Sequence, residues 1–311
     1  MVFDFIFSVN WFYFLSEFYF FFFCFFIFVF ILFIILPYDS VYYYYFKYTL
    51  VIFLTFSFFL LYFSWNNQVC FAIFDFLFDS SHFSFLSRLL FILFLSFFLW
   101  IFKNYFFINF FFIIEFFLLF VFSILGLFLI FNSNDFLNFY LSLELYSLSI
   151  YGVMSVMKNS LVFIEAAIKY FMISSFSSGL IIFSISVLYF FIGSVNFYDI
   201  NLFISALNFK DVLPNKIYYL TALLLLFLGL MIKISAAPFH IWYVDIYSNT
   251  LQILNLFFLI LPKFTFLSFL LKIYMVLLFD FFYLKFIVFI LVFFSNLFFG
   301  SFGAIYQTNI R

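Results

Sequence analysis

Residues 222–242 read ALLLLFLGLMIKISAAPFHIW. An unbroken apolar run is followed by a lysine, Lys233, and five residues later by a proline, Pro238. A membrane β-strand alternates apolar and polar residues over about ten positions, and this run does not alternate. Apolar stretches of about twenty residues are helices that cross a bilayer. An ionisable side chain at the centre of such a helix costs at least about 2.5–3.5 kcal/mol on insertion scales, so Lys233 carries information that its neighbours do not.

The rest of the chain agrees. Of its 311 residues 70% are hydrophobic and 8% charged, with a mean hydropathy of +1.33. Soluble domains carry about 25% charged residues, and disordered chains are polar and poor in aromatics, so both are excluded. The 71 phenylalanines, with Lys outnumbering Arg by 10 to 2, point to an AT-rich and organellar genome. Phe replaces Leu against lipid at little cost, so the Phe reads as background. The net charge of −1 offers no basic patch for nucleic acid. Cys24 and Cys70 lack His or Cys neighbours at ligand spacing, so neither a disulfide framework nor a metal site is expected. The acidic start, MVFDFIFSVNWFYFLSEF, reads as neither signal nor transit peptide.

Charged and turn residues mark about nine spans, near 16–37, 47–64, 86–103, 109–131, 135–157, 162–192, 217–241, 250–279 and 284–306. The polar connection 195–216 has room for a short interfacial helix, while residues 65–87 are too broken by Asp75, Asp79 and His82 to span. The expected class is an all-α, polytopic transmembrane bundle. Lysines and arginines divide evenly between the two sets of span ends, so charge does not orient it.

Two more mid-span charges join Lys233: Glu144 in NFYLSLELYSLSIYGVM (138–154) and Lys263 in ILNLFFLILPKFTFLSFLL (253–271). Pro238 and Pro262 sit beside the lysines and are read as helix breaks, whose freed carbonyls water or polar side chains must satisfy. Glu144 and Lys233 are expected to form a switchable pair, or else only to lock helices together. His240 is placed as a relay between the lysines, against a plain loop histidine. Glu165 and Lys169 form an i, i+4 pair. Glu115 and Asp280 read as interfacial, Lys272 as snorkelling to the membrane edge, and Tyr and Trp as interfacial belts.

The run from NDFLNFYLSLELYSLSIYGVM to VNFYDI (134–200), then TALLLLFLGLMIKISAAPFHIWYVDIYSNT (221–250) and LPKFTFLSFLLK (261–272), resembles the subunit 2 family of respiratory complex I over residues 115–311. The stretch LELYSLSIY favours this family over the antiporter-like subunits 4 and 5. The resemblance implies an antiporter-like bundle in which a fifth-helix Glu, a seventh-helix Lys and an eighth-helix Lys pass protons. These positions fall on Glu144, Lys233 and Lys263, and Lys169 matches a sixth-helix lysine. It implies residues 1–108 as helices one to three, 109–283 as a five-helix repeat and 284–311 as a ninth helix.

The family function is proton translocation in NADH:ubiquinone oxidoreductase of the mitochondrial inner membrane. NADH, FMN, iron–sulfur clusters and ubiquinone are held by other subunits, consistent with the lack of a Gly-rich dinucleotide motif or cysteine cluster here. Implied partners are antiporter-like subunit 4, subunit 4L and membrane lipids including cardiolipin. Where the family has a Gly/Pro-rich stretch, this chain has VDIYSNTLQIL (244–254), so the bend into the eighth span is expected to differ. The ending GSFGAIYQTNIR resembles the link between helices nine and ten, which leads to the expectation that a separate polypeptide supplies helices ten to fourteen. The alternatives are a non-pumping scaffold subunit and a free-standing cation/H+ antiporter subunit.

Overall fold

The computed structural model describes residues 72–73, 78–79, 82–106, 113–156, 161–206, 213–250, 252–277 and 282–306. The expected spans 16–37 and 47–64, both cysteines and Asp280 lie outside them, as does the side chain of Glu115. Among the described residues the chain is helical apart from a two-residue antiparallel ladder. In it β1 (Ala72–Ile73) pairs with β2 (Phe78–Asp79), inside the segment too polar to span. Among the described residues nine helices follow: α1 (His82–Phe106), α2 (Ile113–Asn132), α3 (Phe136–Ser155), α4 (Leu161–Ile192), α5 (Phe197–Ala206), α6 (Leu213–Ile234), α7 (Ile241–Ser248), α8 (Gln252–Leu277) and α9 (Phe282–Tyr306). Where they are described, the other expected spans are helical except at some end residues and at residues 235–240 within 217–241, and α5 lies in the connection expected to hold the interfacial helix.

The two prolines act differently. α6 stops at Ile234, before Pro238, because Ser235 takes a left-handed conformation (φ 59°). There the Ser235 N–H donates to Ile232 O at 3.1 Å and the Ala236 N–H to Met231 O at 3.0 Å, the paired bonds of a Schellman ending. A turn then leads into α7, so one expected span becomes two half-helices. Pro262, by contrast, lies inside the continuous α8, so its reading as a helix break is corrected. It still withholds an N–H from the carbonyl of Phe258, four residues earlier.

Helix packing brings α2 against α3, α4 against α6, and α8 across α1, α2, α5 and α6. Two contacts depend on missing side chains. A Cβ at Gly126 would stand 2.7 Å from Tyr146 N, and one at Gly229 2.6 Å from Ile181 Cγ1 and 3.0 Å from Ser177 O. Phe also fills the core. Phe91, Phe98, Phe136, Phe139, Phe257 and Phe269 are fully buried, because ring pairs such as Phe98–Phe257 (5.5 Å, edge on) pack core volume directionally. Buried serines on α3 and α4 are satisfied within their own helices, as in Ser142 Oγ to Phe139 O at 2.7 Å and Ser177 Oγ to Ser174 O at 2.7 Å.

Candidate functional site

The ending of α6 puts Lys233 in the helix's last turn, where outward-pointing carbonyls favour a cation. Lys263 sits one residue after Pro262 in the middle of α8. Both lysines line one cavity of about 30 Å³, room for about two water molecules. Its walls include Tyr146, Tyr170, Tyr243 and Pro262. Lys263 Nζ lies 4.0 Å from the centre of the Tyr243 ring. Lys233 Nζ is buried and makes no hydrogen bond. A partly open chamber, largely apolar but lined by two lysines and four tyrosines, can hold water; Phe258, whose carbonyl Pro262 leaves without its helical donor, also lines it.

Glu144, half-buried on α3, accepts a hydrogen bond from Ser147 Oγ at 3.3 Å. It acts on Lys233 through space, but the expected close Glu144–Lys233 pair is not formed. α3 packs on α4 rather than on α6, which leaves Lys233 Nζ without a hydrogen-bonding acceptor. Glu165 and Lys169 do pair, Nζ to Oε1 at 2.7 Å, and Lys169 also reaches Asp245 Oδ2 of α7 at 3.9 Å. The Lys169 side chain is 41% exposed, so the trio lies on the outside of α4 and α7.

His240 is not between the lysines. It precedes α7 without capping it and packs its ring against Phe299 of α9 at 5.6 Å. The break itself is held by α9: the Ala237 N–H donates to Asn296 Oδ1 at 2.7 Å, and Ser295 Oγ donates to Ala237 O at 3.0 Å. The bend into α8 is tied by Asn255, whose Nδ2 donates to Tyr247 O at 2.8 Å while its Oδ1 accepts from Thr250 Oγ1.

Two readings need correction. Lys272 does not snorkel: it is 7% exposed and its Nζ donates to Ser133 O at 2.6 Å, in the turn between α2 and α3. The tyrosines of the cavity are not an interfacial belt. Their signal was the i, i+4 spacing of Tyr243 and Tyr247 directly after a helix break, which sets both on one face of α7. Asn296 and Ser295 had no signal beyond being polar in an apolar helix. Among the described residues no three His, Cys, Asp or Glu side chains converge as metal ligands.

The chain is 34% identical over 198 residues to NADH-quinone oxidoreductase subunit N of Pelagibacter ubique, covering 61% of this chain and 38% of the relative. It is 28% identical to NADH-ubiquinone oxidoreductase chain 2 of Rhizopus oryzae, over 49% of this chain and 28% of the relative. It thus aligns with about two-fifths or less of these relatives' lengths. In fold it is similar to a chain of respiratory complex I from Thermus thermophilus (TM-score 0.57, 23% identity, 73% of this chain and 47% of that one). The same holds for a chain of the Mrp complex from a Dietzia species (TM-score 0.59, 20% identity, 74% and 41%). Residues 133–311, more than half of the chain, match the family described as NADH:quinone oxidoreductase/Mrp antiporter, transmembrane. With the helices, the broken α6–α7 span and the lysine-lined cavity in place, this chain belongs to that membrane-protein family.

Proposed function

We propose that the chain serves as a proton-translocating membrane-arm subunit of NADH:ubiquinone oxidoreductase in the mitochondrial inner membrane. The observation that carries this reading is that Lys233 and Lys263, on different helices, line one water-sized cavity. A proton passes between the two amines through water held there, and the negative charge of Glu144 biases the Lys233 end. Lys169, bridging α4 to Asp245 on α7, couples the outer face of the break to the same element. The chain contributes to the enzyme without performing its redox chemistry. NADH, FMN, iron–sulfur clusters and ubiquinone belong to other subunits, and its neighbours are antiporter-like subunit 4, subunit 4L and lipids including cardiolipin.

The reading is tested by purifying the chain from its native membrane and assaying what accompanies it. Recovery in a particle with NADH:ubiquinone activity is expected, and Lys263→Ala is expected to lower proton uptake by vesicles of that particle. Recovery without redox subunits supports a free-standing antiporter instead. An assembled particle whose pumping is indifferent to Lys263→Ala supports a scaffold.

A further inference from the structure

A second buried polar cluster lies away from the cavity, where the α2–α3 turn meets the link between α4 and α5. Asp135 and Asn196 form a β-bridge there, closed by the Phe136 N–H to Val195 O and the Phe197 N–H to Asn134 O, both at 3.1 Å. This pairing brings Ser194 to the same end as Asn132, Ser133 and Asp135. Asn132, Ser133 and Asp135 are buried, with Asp135 only 7% exposed. Lys272 reaches in from α8 to Ser133 O and acts on Asp135 through space, as does Asp199 from α5. Asp199 is exposed, so the acidic side chains run from the surface inward.

Three buried oxygens here, Asn132 Oδ1, Asp135 Oδ1 and Ser194 Oγ, have no protein hydrogen-bond partner. Asp135 stands at the N-cap of α3 yet does not cap it with its side chain, although N-cap carboxylates ordinarily do. Buried polar atoms left without a partner are costly, so the arrangement answers to something other than helix capping. A metal cation would meet the Lys272 ammonium. A proton arriving on Asp135 changes one charge beside a counter-charge already in place.

We propose that Asp135 is the acceptor of a second proton-binding site at this end of the bundle, with Lys272 as its counter-charge and the Phe139–Phe269 stack as a dry barrier between it and the Lys233–Lys263 cavity. Along α3 the order is Asp135, Phe139, Tyr146; along α8 it is Lys263, Phe269, Lys272. Each polar end is roughly 13–16 Å from the other along its helix. Phe139 and Phe269 lie face to face between them, with centroids 3.6 Å apart and planes within 4°. Both rings and Leu143 beside them are buried, and none can pass a hydrogen bond.

Burial, then the Asp199 carboxylate, raise Asp135 above the ordinary carboxylate range, and Lys272 pulls it back down. The site rests on the proposed function only for the use made of the proton; titration of Asp135 is independent of it. The test is infrared pH titration of the purified native particle, with Asp135→Asn identifying the carboxyl band. A band titrating above the ordinary aspartate range is expected. Lys272→Met should move its midpoint upward and Asp199→Asn downward, each by about threefold or more in proton affinity. Phe269→Ser should raise passive proton leak through vesicles several-fold.

If Asp135→Asn does not assemble, Asp135→Glu and Lys272→Arg keep the charges and should keep the titration and its order. No titrating band, or a midpoint that ignores both charge variants, overturns the site. A midpoint displaced by sodium more than by potassium at equal ionic strength also overturns it, in favour of a sodium site. An unchanged leak in Phe269→Ser overturns the barrier. A titrating Asp135 in a particle that does not pump leaves the site standing and removes the proposed function.

Discussion

Lys263 Nζ rests 4.0 Å from the centre of the Tyr243 ring. The contact joins the middle of α8 to the half-helix that follows the break, across the cavity that Lys233 also lines. A ring face attracts a desolvated ammonium with about 2 kcal/mol or more, and Lys263 has no carboxylate in a described ion pair. Its charge therefore leans on Tyr243, and a movement of α7 changes that support.

Tyr243→Leu removes the ring face and Tyr243→Phe keeps it. Coupled turnover should fall about five- to thirtyfold in the first, the equivalent of about 1–2 kcal/mol, and stay within about twofold in the second. NADH-driven acidification of vesicles measures this. Equal losses in the two variants would show that the hydroxyl, not the ring face, matters.

Asn296 and Ser295 fasten α9 to the two polar groups of Ala237 at the break. Asn296→Ala leaves the Ala237 N–H without its acceptor, at about 1–3 kcal/mol. The particle should melt lower and α9 should become more accessible to protease, while Asn296→Gln, which keeps an uncharged acceptor oxygen, should lie closer to wild type. Thermal shift with limited proteolysis reads both.

The α2–α3 contact tolerates no Cβ at Gly126, which would meet Tyr146 N at 2.7 Å and Ser142 O at 2.9 Å. Both are backbone atoms, so the helices must separate, at about 1–3 kcal/mol. Gly126→Ala should lower the yield of assembled particle. Gly179→Ala, with nothing within 4 Å of the added carbon, should not.

Lys169 is exposed at 41% and its two carboxylate partners at 60% and 59%. Exposed pairs contribute about 1 kcal/mol or less, so Lys169→Gln should barely change melting. A fall in coupled turnover with melting unchanged would assign Lys169 to the relay; a fall in both would assign it to holding α7 on α4.

Much of the fold was legible because apolar runs of membrane length leave few alternatives. Span limits for 162–192 and 284–306 came within two residues of α4 and α9. The cost of charge in an apolar chain also singled out Lys233 and Lys263, which the structure brings to one cavity. Spacing alone did not show how a proline behaves in context. α6 ends through the left-handed Ser235 before Pro238 is reached, whereas α8 carries Pro262 without stopping. Nor did it show which long side chains find an inner partner. Lys272 reaches Ser133 O, 139 residues away in sequence, and His240 turns out beside Phe299 rather than in the cavity.

The proposed function has Lys233 carry protons between the cavity and the rest of the path. Its most direct test is the number of protons translocated per NADH oxidised by vesicles of the assembled particle bearing Lys233→Ala, beside Lys233→Arg and wild type. A lowered ratio or stalled coupled turnover is expected in Lys233→Ala at normal assembly. An unchanged ratio at an unchanged rate would contradict it.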